Sequence, residues 1–417
     1  MQMRWAGLVT LMAICLPAWA DEHGSKQTVP APLKAGAAKH GGQPPREATT
    51  GPKPKAITPP TTAEIDASIR RGIEYLLKSQ HKDGSWGSAN SSRPPTAEVN
   101  APVPGAHQAF KAAVTAMCIE ALMETGGNDP QVLQAIDRAE VWLFQRLPHV
   151  RRPTPREMYN VWTHGYGLQC LLKMLDRKPE DAARQEKINE MIKQQIDLLR
   201  RYEVVSGGWA YYEFGARTQP PSWTSMSFCT CAILVALHDA RERGFDVPQP
   251  MIDKAIESVL RQRRPDFSIL YAETHIYKPM KEVNRPMGSL GRSQAANFAM
   301  RIWGDKLVTD EVIKTWLDRL FARQLWIEIG RKRPVPHEAW AKVAGYFYYF
   351  GHYYAARCIE LLPEKDRPHF QDQLAHLIIP LQEKDGSWWD FPIYDYHQAY
   401  GTAFALMTLQ RTRKVGS

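Results

Sequence analysis

The chain has 417 residues, of which 44% are hydrophobic and 23% charged, enough length and apolar content to bury a large core. Lys and Arg number 53 against 44 Asp and Glu, for a formal net charge of +9. Part of the surplus lies near the start (Lys26, Lys34, Lys39, Lys53, Lys55), and most of the rest is in mixed-sign groups such as Asp239-Ala-Arg241-Glu-Arg243 and Glu364-Lys-Asp-Arg367. That pattern describes solvated helix faces and argues against a nucleic-acid stripe.

Residues 1–20 have the form of a secretory signal. Arg4 supplies the charge, Trp5 to Leu16 the apolar stretch, and Ala18-Trp19-Ala20 a small-x-small cleavage site before Asp21. Cys15 does not make a lipoprotein box, because the bulky Ile14 precedes it. The expectation is an exported, periplasmic or extracellular protein. No later run reaches the ~18–20 uninterrupted apolar residues of a membrane span. Residues 21–60 are rich in Pro, Ala, Gly and Lys and poor in large apolar side chains, so composition predicts a disordered spacer there.

Helical periods begin at Thr61. Ile65, Ile69, Ile73 and Leu76/Leu77 recur on one face, with Thr61 or Thr62 as cap and Gly84 in the turn that follows. A second helix over about Phe110 to Glu124 is apolar on nearly all sides, which predicts burial on both faces. The pair then recurs. Amphipathic helices start near Gln131, Lys187, Pro250, Thr309 and Pro368, and small-residue apolar ones near Val161, Ser225, Ser289, Ala339 and Tyr396. Such alternation predicts an all-α fold of about six helical hairpins in two concentric layers, the apolar helices inside. Five cysteines follow the signal (Cys118, Cys170, Cys229, Cys231, Cys358), without disulfide-framework spacing or a CxxC pair. They read as buried small residues.

The segment Gln80-His-Lys-Asp-Gly84-Ser-Trp86 returns as Gln382-Glu-Lys-Asp-Gly386-Ser-Trp388, with a degenerate copy at Gly207-Gly208-Trp209. It resembles the Gln-Trp repeat of squalene cyclases and related terpenoid cyclases. The resemblance implies an α/α toroid over residues 61–417, the Gln, Gly and Trp of each copy tightening a joint between hairpins. Tyr396-His397-Gln-Ala-Tyr400 in turn resembles the Tyr-His-x-x-Tyr segment of protein prenyltransferase β subunits, whose His is a zinc ligand. The Asp and Cys that complete that site correspond here to Ala344 and Tyr346. The protonating Asp-x-Asp-Asp motif of the cyclases is absent from the chain.

Several constellations have chemistry in kind. His397, with Asp390, Asp395 and His352, has the nitrogen and oxygen donors of a zinc site, although a histidine bonded inside a wet cavity uses the same residues and no cofactor is expected. Asn160, His164 and Arg292 have the residue types with which a toroidal polysaccharide lyase neutralises a uronate and abstracts its proton. Glu273 and His275 belong to a loop between hairpins. Aromatic clusters containing Trp209, Tyr346, Tyr349, Phe350, Tyr396 and Tyr400 suit either an apolar ligand or stacked sugar rings. The leading expectation is a cyclase- or prenyltransferase-like toroid that binds an apolar, isoprenoid-type molecule in a central cavity. The alternatives are a lyase-like carbohydrate-active enzyme taking a glycan, or a non-catalytic scaffold.

Overall fold

The structure is a computed structural model that describes residues 42–90 and 103–414. The expected signal segment and the first part of the expected spacer therefore lie outside the described residues. Thirteen α-helices occur among the described residues: α1 (Thr62–Ser79), α2 (Pro104–Thr125), α3 (Pro130–Arg146), α4 (Asn160–Met174), α5 (Ala182–Arg201), α6 (Ser227–Glu242), α7 (Gln249–Gln262), α8 (Pro286–Ile302), α9 (Asp310–Ala322), the short α10 (Gln324–Glu328), α11 (Phe347–Glu360), α12 (Arg367–Ile378) and α13 (His397–Thr412). Described β structure is limited to isolated bridges such as Glu157 with Tyr212 and Met226 with Ala272.

Six helices, α2, α4, α6, α8, α11 and α13, pack in that order, and α13 returns to α2 to close a ring. Each is buried on almost every side, as in the run Ala112 to Leu122. Helices α3, α5, α7, α9 and α12 lie outside against the inner helix that precedes them in the chain, while α1 covers the last inner helix, α13. The outer helices are amphipathic and their buried residues recur at helical spacing, as with Ile65, Ile69, Gly72 and Leu76 of α1. This is the expected α/α toroid. The first described α-helix seats on the last, so α1 and α13 seal a single ring. Inner helices meet at their starting ends, neighbours (Phe110 of α2 with Tyr159 and Tyr396, which precede α4 and α13) and non-neighbours (Phe228 of α6 with Phe347 of α11) alike, so the inner ring is parallel and its loops gather at one mouth.

The Gln-Trp segments are the joints of this ring. Trp86 Nε1 donates to Leu76 O at 2.8 Å, Trp209 Nε1 to Leu199 O at 2.8 Å and Trp388 Nε1 to Ile378 O at 3.0 Å, each a carbonyl at the end of the preceding outer helix. Their backbone N–H groups donate inward to Thr115, Thr230 and Thr402. Gln80 Nε2 crosses to Ala135 O of α3 at 2.8 Å, and Gln382 Nε2 to Ser68 O of α1 at 2.9 Å. Gly84 and Gly386 turn with φ of +91° and +92°, and a Cβ there would strike Arg138 O and Arg71 O of the next outer helix. A fourth joint carries no Gln-Trp signature. Asp266 Oδ1 accepts from the backbone and hydroxyl of Ser268, Phe267 takes the left-handed turn at φ 64°, and Ile269 N donates to Ser293 Oγ.

In the joint before Trp209 the Gln position is Glu203, whose Oε1 is buried without a hydrogen-bond partner and whose pKa is raised by burial against a weaker pull from Lys254. Gln80 and Gln382 donate to two carbonyls, which a carboxylate cannot do. Glu203→Gln is expected to stabilise the protein by about 1 kcal/mol at neutral pH. The gain should shrink as pH falls through the carboxylate range and Glu203 becomes a donor itself. Urea midpoints of both proteins at neutral and acidic pH decide this, and an equal gain at both would refute it.

Two expectations are corrected here. Part of the spacer is seated on the toroid: Ala48 is fully buried, Arg319 donates to Glu47 O and Thr50 O, and Gln373 Nε2 donates to Lys55 O at 2.9 Å. Composition misled because most of these contacts are accepted by backbone carbonyls, with only small or polar side chains added, Ala48 by burial and Lys53 by an ion pair with Asp318. The inner helix expected near Ala339 starts at Phe347. Lys342 sits at φ 54°, and Gly345 is pressed between the carbonyls of Asp390 and Gly330, so no α-helix propagates through 339–346, which holds only a 3-10 turn at Trp340–Lys342.

Candidate functional site

The mouth is lined by side chains from the first turns of the inner helices and from the loops that enter them. Half-buried rings there include Trp162, Tyr211, Tyr212, Tyr271, Tyr346, Tyr394 and Tyr400. Trp162 stacks on Phe228 at 5.9 Å and on Tyr166 at 6.0 Å. Below, rings from non-adjacent inner helices meet: Tyr166 of α4 with Phe404 of α13 at 6.0 Å, and Phe228 of α6 with Phe350 of α11 at 6.2 Å. The far end is closed by ion pairs. Arg411 bonds Glu124 at 3.0 Å and Glu360 at 3.3 Å, Arg357 bonds Glu360 at 3.2 Å, and Lys173 bonds Glu120 at 2.9 Å. The lumen is therefore packed with aromatic side chains beneath an open rim.

At the mouth the tyrosine hydroxyls are chained. Tyr211 pairs with Tyr271 at 2.5 Å, Tyr271 with Tyr346 at 3.2 Å, and Tyr346 with His337 Nε2 at 3.0 Å, while Tyr159 pairs with Tyr212. Burial pushes the pKa of Tyr211, Tyr346 and Tyr400 well up, and that of Tyr212 to about 12. These phenols stay protonated at neutral pH, so they are donors and stacking faces, not bases. Tyr400 donates to Asp390, which also accepts from Tyr349 N at 3.0 Å. Burial pushes Asp390 up to about 7, against hydrogen bonds that pull it down.

Arg292 lies under this wall, fully buried. Its guanidinium donates to Ile269 O at 3.0 Å, to Val283 O at 2.6 Å and to Gly288 O, and it stands 5.8 Å from the Tyr271 ring and 5.9 Å from the Phe347 ring. Among the described residues no carboxylate pairs with it, and burial lowers its pKa to about 9. It is the floor of the site and not a group that touches a ligand.

The remaining expected site residues are dispersed. His164 is buried between α4 and α5, its Nδ1 at 2.8 Å from Gln195 Oε1 and its Nε2 at 3.3 Å from Asn160, and burial holds its pKa at about 4. Asn160 and His164 thus face the outer layer, and neither shares a partner with Arg292, so the lyase-like trio is not assembled. His352 is enclosed by Tyr348 O at 2.7 Å and Gln324 Oε1 at 3.1 Å. His397 bonds Tyr394 O at 2.5 Å and packs its ring edge-on to Trp389, and Asp395 is exposed and accepts from Ser88. Among the described residues no three His, Cys, Asp or Glu side chains group to hold a metal. Glu273 is engaged by Arg261 at 2.6 Å and by Ser225 and Ser258 at 3.2 Å, whereas His275 is at the mouth beside Tyr271. Trp209 belongs to a joint, Tyr396 bonds His107 at 3.2 Å, and Tyr349 is buried with its hydroxyl unpartnered. Phe350 helps fill the lumen, leaving Tyr346 and Tyr400 as the expected ligand residues that reach the mouth half-buried. The five described cysteines are all buried and free.

Tyr211 falls in the aromatic stretch 209–214 that the sequence marks as a stacking face, whereas Tyr271 and His337, on loops without periodicity, were not legible as site residues. One signal was present. The position two after each joint residue Trp86, Trp209, Ile269 and Trp388 is Ser88, Tyr211, Tyr271 and Asp390, so three of the four joints also deliver one polar side chain inward, while Ser88 bonds the exposed Asp395. A separate cavity of about 320 Å³ lies on the outside against residues 47–51, lined by Asp266, Trp316, Arg319 and Arg323, and includes none of the expected site residues.

No protein-family model matches the chain, and no curated protein matches it. Solved structures do. The GH76A α-1,6-mannanase from Salegentibacter sp. HEL1_6 aligns with a TM-score of 0.54 at 10% identity, over 84% of this chain and 98% of its own. An unsaturated glucuronyl hydrolase specific for heparin aligns with a TM-score of 0.51 at 11% identity, over 84% and 97%. The type II terpene cyclase MstE from Scytonema aligns with a TM-score of 0.47 at 14% identity, over 84% and 98%. At these identities the likeness is one of fold: the chain is an α/α toroid, and no described helix is long and apolar enough to cross a membrane.

Proposed function

We propose that this chain is an exported protein that binds carbohydrate at the mouth of the toroid, as a binding module and not as a lyase or cyclase. The observation that carries the reading is the wall of half-buried rings with chained, protonated hydroxyls (Trp162, Tyr211, Tyr212, Tyr346, Tyr400). Such rings stack on the apolar faces of pyranoses while their hydroxyls exchange hydrogen bonds with sugar hydroxyls. The groups that could serve as a base are otherwise held: the tyrosines resist ionisation, His164 faces outward, Asp390 is sealed behind Tyr400, His337 is tied to Lys342 O and the Tyr346 hydroxyl, and His275 to Asn284 Oδ1. Of the similar toroids, one is an α-1,6-mannanase and one a glucuronyl hydrolase specific for heparin, so the fold is compatible with sugar ligands.

Titration of the full chain with neutral and acidic oligosaccharides, followed by tryptophan fluorescence and calorimetry, tests this. Trp162→Ala and Tyr212→Ala are expected to weaken binding about tenfold each, the loss of ~1.4 kcal/mol of stacking, without a large change in thermal midpoint. Saturating oligosaccharide that leaves fluorescence and heat unchanged would sink the reading. The apolar or isoprenoid ligand is the second reading, favoured by exposed Phe214, Tyr277, Met280 and Trp340 on the mouth loops. It predicts an isoprenoid in the organic extract of the natively folded protein.

A further inference from the structure

We propose that the mouth selects acidic sugars, seating a carboxylate on the hydroxyls of Tyr271 and Tyr346 over the buried charge of Arg292; this rests on the carbohydrate reading and names its ligand class. The first observation is Arg292 itself. A fully buried guanidinium satisfied by carbonyls alone has its hydrogen bonds met but its charge uncancelled. The Tyr271 and Phe347 rings lie 5.8 and 5.9 Å from it on the side of the mouth, and a low-dielectric wall of this kind screens a charge far less than water does.

The second observation is the surroundings of the Tyr271–Tyr346 pair. His275 and His337 flank the Tyr271–Tyr346 pair, with ring centroids 5.9 and 5.4 Å from Tyr271. Both are disfavoured as cations, by burial first and then by Lys281 and Arg292 acting on each. Positive charge borders this wall on two sides: Arg292 beneath it, and the 278–285 loop, which is held to it by Tyr271 N donating to Asn284 Oδ1 and by Arg292 donating to Val283 O. On that loop Lys278, Lys281 and Arg285 are exposed with Glu282 as the one acid among them. The two hydroxyls supply donors by turning from each other and from His337 Nε2 toward the ligand, and the cations supply the attraction, which together form a seat for a carboxylate. A neutral sugar would leave that charge unanswered.

The test is calorimetric titration of the full chain with a galacturonate trisaccharide and with the neutral galactose trisaccharide of the same linkage. The acidic one is expected to bind at least about tenfold more tightly, with the advantage fading as salt rises to ~0.5 M. Tyr271→Phe, Tyr346→Phe and the surface change Lys281→Ala should each cut the preference about threefold or more, and Lys281→Ala leaves the core untouched should a tyrosine variant fold poorly. Equal affinity for the two trisaccharides overturns the acidic-sugar proposal while leaving the carbohydrate reading in place. Binding of neither overturns both.

Discussion

Replacing Trp388 by alanine is expected to lower the free energy of unfolding by about 3–5 kcal/mol, the cost of a large buried aromatic in a site that cannot collapse. Trp388 is fully buried where the ring closes. Its indole bonds Ile378 O of α12, its backbone bonds Thr402 of α13, and Gly72 of α1 is so close that an added Cβ would meet both the indole and Leu406. Three helices from opposite ends of the sequence therefore lean on one side chain. The matched control is Trp340→Ala, at 71% exposure, expected to change stability by no more than about 0.5 kcal/mol. Urea midpoints of the two variants beside the parent decide it, and similar losses from both would show that the joint does not hold the ring closed.

Asp390→Asn is expected to flatten the dependence of stability on pH between about 4 and 7. The Asp390 carboxyl is fully buried and pushed from an ordinary 3.8 up to about 7, so the folded state binds its proton more tightly than the unfolded chain does. Its contribution is complete below the unfolded value and is lost as pH rises through the folded one. The span of about 3 pH units corresponds to at most about 4 kcal/mol. Salt-bridged carboxylates such as Asp83, held near 2, slope the other way but are common to both proteins, so the difference between parent and variant isolates Asp390. Parallel stability curves from pH 4 to 7 would exclude a buried, proton-holding Asp390.

The joints also show how much a sequence can reveal. Gln80, Gly84 and Trp86, and their copies at Gln382, Gly386 and Trp388, are legible because left-handed turns, side-chain amides and indole donors are local requirements that few residues meet. The fourth joint was not, because Asp266 and Ser268 preserve its hydrogen bonds while Phe267 and Ile269 replace the diagnostic residues. Helical period and composition similarly marked the two layers, since burial on one face or on all faces imprints itself within a few turns.

What the residues determined alone is thus the toroid: alternating amphipathic and all-apolar helices, a repeated joint and enough hairpins to close a ring. Only the tertiary structure decided the site. His164 and Asn160 share an inner helix with Trp162, yet the helix's rotation turns the first two toward α5 and presents the third at the mouth. Arg292 has the residue type of a ligand contact but is capped by Tyr271 and Phe347, and His397 and His352 are drawn to separate partners. Tyr211, Tyr271, Tyr346 and His337 come from four stretches of sequence, and only closure of the ring brings their polar atoms within hydrogen-bonding distance. The physical reason is range: secondary structure is set by neighbours a turn away, whereas a site is set by which faces the packed core leaves open.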